Sequence, residues 1–469
     1  MLNFTRGTYL KSLCNRAHDL IKSNPDLARE EILPIIDRHL SKIQRSSTGY
    51  WGITESDMLY SKMLEQLKKF IMKANTNGLT AFMKEALSQT NDKVKIVFLA
   101  QETVCWSSLE SFYFACKQDE RFIAQLVYIP FTHVNADEAI DYLKIYREDR
   151  GLSIVNYDEY SLTAESPDIA VYVKPYDCIP MQYYITDVDK VINRCILISY
   201  GFEIASWAID YHFKLPLQYK AWKFIVYGDK LKELAAQHGY NNGRNVVAWG
   251  HPRADYYNNL EKSRENIPDD WRKKIKNRKV VLWNTQHTVT DGTGCGTFFK
   301  WKNEVLSYFD NNLDIVLLWR PHPLMFGAIA NNGLMTDAEV QQLISIVEKK
   351  DNIILDCSPD YRNSFYASDA IITDGTSFLI EYLCTEKPLI YTPREDDSVY
   401  FQDEICENIY IAKEEGDIIK LLDDIKCGTD LLKEKRLSFA KNLLRINPEG
   451  NGEYIKNQIY INLMQELEI

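Results

Sequence analysis

The residues with the clearest chemical potential follow the apolar run DIVLLW, where the chain continues Arg320, Pro321, His322 and Pro323. Such a run predicts a buried strand, so two cation-capable side chains stand at its end. A guanidinium is a planar fork that matches a phosphate group, and an imidazole can donate a hydrogen bond or a proton to a phosphate oxygen. Arg320 and His322 are therefore predicted to act on phosphate. The alternative is a structural turn with a solvent-facing histidine.

A second candidate is the stretch IITDGTSFLIEYLC, in which Asp374, Gly375, Thr376 and Ser377 separate an apolar run from a helical pattern. The first backbone N–H groups of a helix lack partners and attract anions. Gly375 lets the backbone approach a ligand closely, the two hydroxyls add donors, and Asp374 caps the helix or orients an Arg or His. The stretch predicts a phosphate-binding turn, against the alternative of a plain helix cap.

Glu381 lies four residues after Ser377, so the two side chains share one face of the predicted helix. A carboxylate at this position can accept hydrogen bonds from the two hydroxyls of a ribose. Together with the Arg-His strand end and the Asp-Gly-Thr-Ser turn, it predicts a site for a nucleotide diphosphate.

Two further segments supply polar side chains. Asn284, Thr285 and His287 follow the run KVVLW, and we expect this loop to close over a donor or an acceptor, unless it is only a flexible surface loop. Arg253, in WGHPRADYY, is predicted to contact the ligand; the alternative is packing at a domain junction.

No metal or cofactor is predicted. The eight histidines show no ligand spacing such as H-E-x-x-H, and the chain has neither a P-loop nor a G-x-G-x-x-G fingerprint. One D-x-D pair, Asp187 and Asp189, could hold a divalent cation, but it has no matching third ligand. We expect it to be a solvated helix start.

Charge and cysteine content narrow the class of protein. The net charge of −11 argues against a nucleic-acid binder, and ten scattered cysteines without a signal peptide predict a cytoplasmic protein with reduced thiols. Residues 1–90 carry 13 Lys and Arg against 9 Asp and Glu. This excess could touch the anionic inner face of a membrane, or it could be an ordinary solvated helical face. Nothing in the sequence sets the oligomeric state.

The elements that must position these residues form two series. After a helical extension (1–90), short β-rich runs alternate with helical stretches over 91–257 and again over 280–428, separated by a linker and helix (258–279) and followed by helices (429–469). Such alternation predicts an α/β fold of two doubly wound parallel sheets. Ligands of these sheets bind beyond the carboxyl ends of the strands, where the candidate residues stand.

Several of these stretches resemble the CDP-glycerol glycerophosphotransferases of teichoic acid and capsule synthesis. The resemblance lies in GHPRAD, VVLWNTQH, LLWRPHPL and YRNSFYASDAIITDGTSFLIEYLCTEKPLIY, and it runs from about residue 93 to 391. It implies a GT-B fold, with two Rossmann-like domains facing across a cleft, an acceptor domain at 91–257 and a nucleotide-donor domain at 280–428. It also implies transfer of a polyol phosphate from a CDP-linked donor to a polysaccharide or lipid-linked acceptor with release of CMP, at the cytoplasmic membrane face. His322 and residues 374–377 would hold the donor phosphates.

The chain departs from the family at one motif. Members carry Trp-His-Gly in the first domain, with the histidine as general base, whereas this chain has Tyr200, Gly201 and Phe202. His212 and Asp177 are other candidates for the base. Two alternatives to glycerol phosphate transfer therefore stay open: a GT-B glycosyltransferase that uses a nucleotide sugar, and a non-catalytic module of a polysaccharide assembly complex.

Overall fold

The structure is a computed structural model that describes residues 1–46, 49–132, 140–265, 267–290, 295–375, 377–394 and 399–468. Within these ranges, no helix is both long enough and apolar enough to cross a lipid bilayer.

The first 90 residues are helical, as their apolar spacing predicts. The helices are α1 (Phe4–Ser23), α2 (Pro25–Ser46), α3 (Glu55–Met72) and α4 (Thr76–Ser88). Side chains start two of them: Asn3 caps α1 by accepting from the Arg6 N–H, and Thr54 and Asp57 form a capping box on α3. The helices bury a leucine-rich core of their own, and the Thr5 N–H donates to the Asp168 carboxylate at 2.8 Å, which ties α1 to the first sheet.

The first sheet is parallel, with strand order β3-β2-β1-β4-β5-β6-β7. Its strands are β1 (Val94–Ala100), β2 (Phe122–Tyr128), β3 (Ile154–Asn156), β4 (Ile169–Tyr172), β5 (Cys195–Ile198), β6 (Lys223–Ile225) and β7 (Val246–Val247). Its helices are α5 (Thr103–Trp106), α6 (Glu110–Gln118), α7 (Tyr142–Lys144), α8 (Leu162–Glu165), α9 (Ile185–Val188), α10 (Ile209–Phe213), α11 (Pro216–Lys220) and α12 (Asp229–His238). The strand order reverses between β1 and β4, which is where such sheets bind ligands.

The second sheet is also parallel, with strand order β10-β9-β8-β11-β12-β13. Its strands are β8 (Lys279–Thr285), β9 (Ile315–Pro321), β10 (Ile353–Leu355), β11 (Ala370–Thr373), β12 (Leu389–Tyr391) and β13 (Tyr410–Ile411). The helices after β7 are α13 (Leu260–Arg264), α14 (Asp269–Ile275), α15 (Phe298–Asn311), α16 (Met325–Asn331), α17 (Asp337–Glu348), α18 (Arg362–Ala367), α19 (Ser377–Glu381), α20 (Gln402–Asn408), α21 (Asp417–Lys426), α22 (Lys433–Leu443) and α23 (Asn451–Leu467). The predicted α/β class with two doubly wound sheets is confirmed.

The chain forms two compact units. The first unit comprises residues 1–200, 210–252 and 447–469, and the second unit comprises 201–209 and 253–446. Helix α23 therefore belongs to the first unit, where Ile455, Ile459 and Leu463 join the core under β1. Asn451 fixes its start by donating to the His251 carbonyl at 2.9 Å.

Candidate active site

The second sheet changes direction between β8 and β11, and the predicted polar residues gather at this point. Thr373, the last residue of β11, pairs in register with Asn284 on β8. Asn284 accepts from the Thr373 hydroxyl at 3.2 Å and donates to the Arg320 carbonyl at 3.3 Å, so it bridges three neighbouring strands. Thr285 accepts from the Trp319 indole at 3.1 Å. Both side chains are buried and hold the strand ends together, and donor binding by them stays a prediction.

Asp374 has a comparable positioning role. Its buried carboxylate accepts from the Gln286 N–H at 3.2 Å and from the Thr297 N–H at 2.8 Å, where α15 begins. Asp374 thus joins the end of β11 to the loop after β8 and to the start of α15. This carboxylate fixes the loop after β8 and the start of α15, and a role for Asp374 at the donor phosphates stays a prediction.

Gly375 adopts a backbone conformation that other residues avoid. Its φ is +124°, and a methyl group at this position would lie 3.3 Å from Cβ and 3.4 Å from Sγ of Cys295. The Gly375 N–H donates to the Thr373 hydroxyl at 3.4 Å. Only glycine meets both demands, so the turn after β11 depends on it.

We expect Gly375→Ala to lower the free energy of unfolding by about 1–3 kcal/mol and to weaken donor binding, because the new methyl group strains the turn. Gly327→Ala is the matched control. No heavy atom comes within 4 Å of a methyl group at Gly327, which lies in α16, so this change is expected to be neutral or slightly stabilising. Urea unfolding and donor titration measure both effects; equal behaviour of the two variants would contradict the role of the turn.

Two histidines meet at the ends of β8 and β9. The ring centroids of His287 and His322 are 4.2 Å apart. Burial, followed by the charges of His287 and Arg320, lowers the pKa of His322 to about 4, and burial lowers the pKa of His287. His322 Nδ1 accepts from the Leu324 N–H at 3.2 Å, so in the neutral ring Nε2 carries the proton and is a donor. Nδ1 of His287 is buried and has no hydrogen-bond partner among the described residues.

Arg320 forms a buried ion pair at the end of β9. Its guanidinium donates to the Asp356 carboxylate at 2.5 Å and to the Ser358 carbonyl at 2.8 Å. Asp356 is buried and also accepts from the Ser364 hydroxyl. Its planar fork ties the end of β9 to the loop after β10, and action of Arg320 on phosphate stays a prediction.

Glu381 is the centre of a buried network. Its side chain is 0% exposed and accepts from the Tyr257 hydroxyl at 2.7 Å, the Tyr361 hydroxyl at 2.6 Å and the Arg253 guanidinium at 3.3 Å. Arg253 is itself only 4% exposed and lies over the Tyr361 ring, 5.5 Å from its centroid. The two charges neutralise each other inside the fold, and ribose binding by Glu381 and ligand contact by Arg253 stay predictions.

Ser377 begins α19, as predicted, but this helix ends at Glu381 and passes into a 3₁₀ turn, so its dipole is small. The predicted ligand Thr376 lies outside the described residues. Gly201 is close to this turn, because a methyl group built on it would lie 3.4 Å from Ser377 Cβ and 4.0 Å from Arg253. The segment that stands in place of Trp-His-Gly therefore reaches the predicted phosphate turn.

Sequence analysis missed the partners of the buried charges. Tyr257, Tyr361 and Asp356 have no distinctive spacing, and only Tyr361 falls in a stretch that carries the family resemblance. One signal could have indicated these partners: an acid or an arginine at a strand end requires a partner if its side chain is buried.

The first unit presents its own polar residues at the switch point between β1 and β4. Glu102, which follows β1, accepts from Lys174, which follows β4, at 2.6 Å. Burial raises the pKa of Asp177, further along the same loop, whereas burial lowers the pKa of His212 to about 4. Both remain predictions as the base.

The two aspartates of the D-x-D pair form ion pairs with lysines of the same chain. Asp187 pairs with Lys190 at 3.0 Å and Asp189 pairs with Lys220 at 2.7 Å. In the part of the chain that the structure describes, no three His, Cys, Asp or Glu side chains come together as a metal site requires.

Solved structures similar to this chain have the same two-sheet architecture. A variant of the wall teichoic acid polymerase TagF matches with a TM-score of 0.52 at 16% identity, covering 87% of this chain and 98% of that one. Staphylococcus aureus MnaA, solved with UDP, matches with a TM-score of 0.53 at 16% identity, covering 79% and 97%. At these identities the similarity shows the fold alone, and it confirms the predicted GT-B architecture.

Sequence comparison adds the family. No curated protein sequence matches the chain. A family model described as CDP-Glycerol:Poly(glycerophosphate) glycerophosphotransferase matches residues 202–460, which is more than half of the chain and includes the whole second sheet. The resemblance predicted from the strand-end motifs is confirmed: the chain belongs to the CDP-glycerol:poly(glycerophosphate) glycerophosphotransferase family.

Proposed function

We propose that this chain transfers glycerol phosphate from CDP-glycerol to a hydroxyl of a glycerol phosphate polymer or its lipid-linked precursor, and releases CMP. The second unit binds the donor and the first unit binds the acceptor. The observation that carries the proposal is the neutral His287–His322 pair beside the Gly375 turn, in a member of this family. The Gln286 N–H donates a hydrogen bond to Asp374. Gln286 precedes His287 and Asp374 precedes Gly375, so this bond joins the histidine pair to the turn.

The reaction requires an acceptor oxygen to attack the phosphorus that bears glycerol. A new P–O bond forms, the bond from that phosphorus to the bridging oxygen breaks, and CMP leaves with the electron pair. We propose that the Nε2–H group of His322 and the backbone amide of Ser377 donate hydrogen bonds to the diphosphate. These bonds stabilise the negative charge that develops on it. Preorganised donors of this kind supply the main stabilisation in phosphoryl transfer.

We propose that the general base, which takes the proton of the acceptor hydroxyl, lies at the switch point of the first sheet. Glu102 follows β1 and Asp177 follows β4 at this point. Burial raises the pKa of Asp177, which makes its carboxylate a stronger base. The absence of histidine at Tyr200 to Phe202 also favours a second candidate function, a module that binds the donor without turnover.

A thermal-shift panel separates these functions. We expect CDP-glycerol and CMP to raise the melting temperature and UDP-N-acetylglucosamine to leave it unchanged. Binding by mass action gives about 2.7 kcal/mol of stabilisation when the ligand is present at 100 times its Kd. A shift with the UDP-sugar alone would contradict the proposed donor, and a shift with CDP-glycerol without CMP release would favour the non-catalytic module. The cytoplasmic, membrane-associated location stays a prediction.

A further inference from the structure

A charged recess lies in the first unit, where the helical extension meets the first sheet domain. It has a volume of 180 Å³ and is lined by four cations (Arg6, Lys42, Lys190 and Arg194) and two acids (Asp57 and Glu466). Arg6 pairs with Asp57, and Arg194 reaches Glu466 only at 3.4 Å. Lys190 also pairs with Asp187, outside the recess, at 3.0 Å. The lining therefore carries more positive than negative charge, and Asp187 and Asp189 outside the recess offset part of this excess.

The positive charges in the recess repel each other, which disfavours the protonated forms of these side chains. Burial and the charges of Arg194 and Arg6 lower the pKa of Lys42, and burial and the charge of Lys42 contribute to lowering the pKa of His39 to about 4. The Arg194 guanidinium has spare donor capacity, since its Nε is buried and no described residue accepts from it. An anion in the recess would relieve this repulsion and use these donors.

The walls also accommodate an organic group. Tyr9 stacks on His39 with the ring centroids 4.7 Å apart, the Tyr60 hydroxyl lies 3.2 Å from His39 Nδ1, and Ile43 and Leu467 add apolar surface. A phosphate ester combines such a group with a charge of about −1 in a diester or about −2 in a monoester, and its oxygens accept several hydrogen bonds.

We infer that this recess is a binding site for a phosphate ester, separate from the donor site in the second unit. A flat bilayer does not fit the geometry, because the guanidinium side chains of Arg6 and Arg194 are only 11% and 15% exposed and lie below the rim. A free ester such as glycerol phosphate, or one repeat of a glycerol phosphate polymer, could enter the recess.

Calorimetric titration of the full chain with sn-glycerol 3-phosphate and with a short glycerol phosphate oligomer tests the inference. The variant is Lys42→Glu, because Lys42 is exposed at the rim and its replacement leaves the core intact. The matched control is Lys84→Glu on α4, a helix that contributes no residue to the recess. We expect Lys42→Glu to weaken binding by at least about tenfold and Lys84→Glu by less than about twofold. Higher salt should weaken binding to the wild-type chain.

Tighter binding of the oligomer than of sn-glycerol 3-phosphate would identify a polymer repeat as the ligand. Equal affinities for the two probes would identify a free ester. His322→Ala should leave this binding unchanged, which separates the recess from the donor site. The inference is overturned by an absence of binding, by equal losses in the two lysine variants, by loss of binding in His322→Ala, or by binding to anionic phospholipid vesicles but to neither probe.

Discussion

His322→Ala is expected to lower kcat for CMP release by about 10³-fold, while the free energy of unfolding changes little. The variant removes the Nε2–H donor that we assign to the diphosphate. The ring is not part of a core cluster, and its Nδ1 bond to the Leu324 N–H belongs to an exposed turn. CMP release under saturating donor and acceptor measures the effect, and urea unfolding checks the fold.

The matched control is His238→Ala, because His238 is an exposed histidine on α12 in the first unit. Its activity should stay within about twofold of the wild-type value. Full turnover by His322→Ala, or an equal loss in His238→Ala, would show that His322 has no specific role in the reaction.

The pH dependence of donor affinity provides a second readout of His322. In the free protein the pKa of His322 is lowered to about 4, so its ring is neutral at pH 7. A bound diphosphate favours the protonated ring and raises this pKa, so the complex binds more protons than the free protein. We expect CDP-glycerol to bind more tightly as the pH falls from 7 towards 5. In His322→Ala this trend should flatten, and an unchanged slope would assign the proton to another group.

Glu381→Ala is expected to lower the free energy of unfolding by about 3–5 kcal/mol, because it leaves the buried Arg253 guanidinium without its carboxylate. The Tyr257 and Tyr361 hydroxyls lose their acceptor in the same change, which adds to the cost. Chemical denaturation measures the loss, and activity falls with it because the network stands behind the Ser377 turn.

Glu381→Gln distinguishes charge from hydrogen bonding. It keeps an acceptor for the two tyrosines and removes the charge opposite Arg253, so its stability should lie between those of the wild type and Glu381→Ala. Glu434→Ala, at an exposed position on α22, is the matched control and should change stability by less than about 0.5 kcal/mol. A Glu381→Ala variant as stable as this control would contradict the buried network.

The fold was predictable from the sequence because buried parallel strands appear as short apolar runs. The run KVVLWNT, for example, became β8 with its polar residues at the carboxyl end. His287 and His322 meet because adjacent parallel strands end at one edge of a sheet, although their spacing did not predict this contact.

The roles of the other strand-end residues were not predictable in this way. A polar residue at a strand end either binds a ligand or ties the sheet together, and its spacing is the same in both cases. Arg320 pairs with Asp356, and Glu381 pairs with Arg253, which is far away in the sequence. Only the folded chain brings these charges together, so the spacing of these residues could not show that each has a partner within the protein.

Phosphorus NMR of the reaction tests the central claim most directly. The purified chain is incubated with CDP-glycerol and a glycerol phosphate oligomer, and the products are resolved by their phosphorus signals. Attack at the phosphorus that bears glycerol predicts a growing CMP monoester signal matched by a new phosphodiester signal on the oligomer. Release of CDP, or an intact donor after prolonged incubation under conditions where CDP-glycerol binds, would contradict glycerol phosphate transfer by this chain.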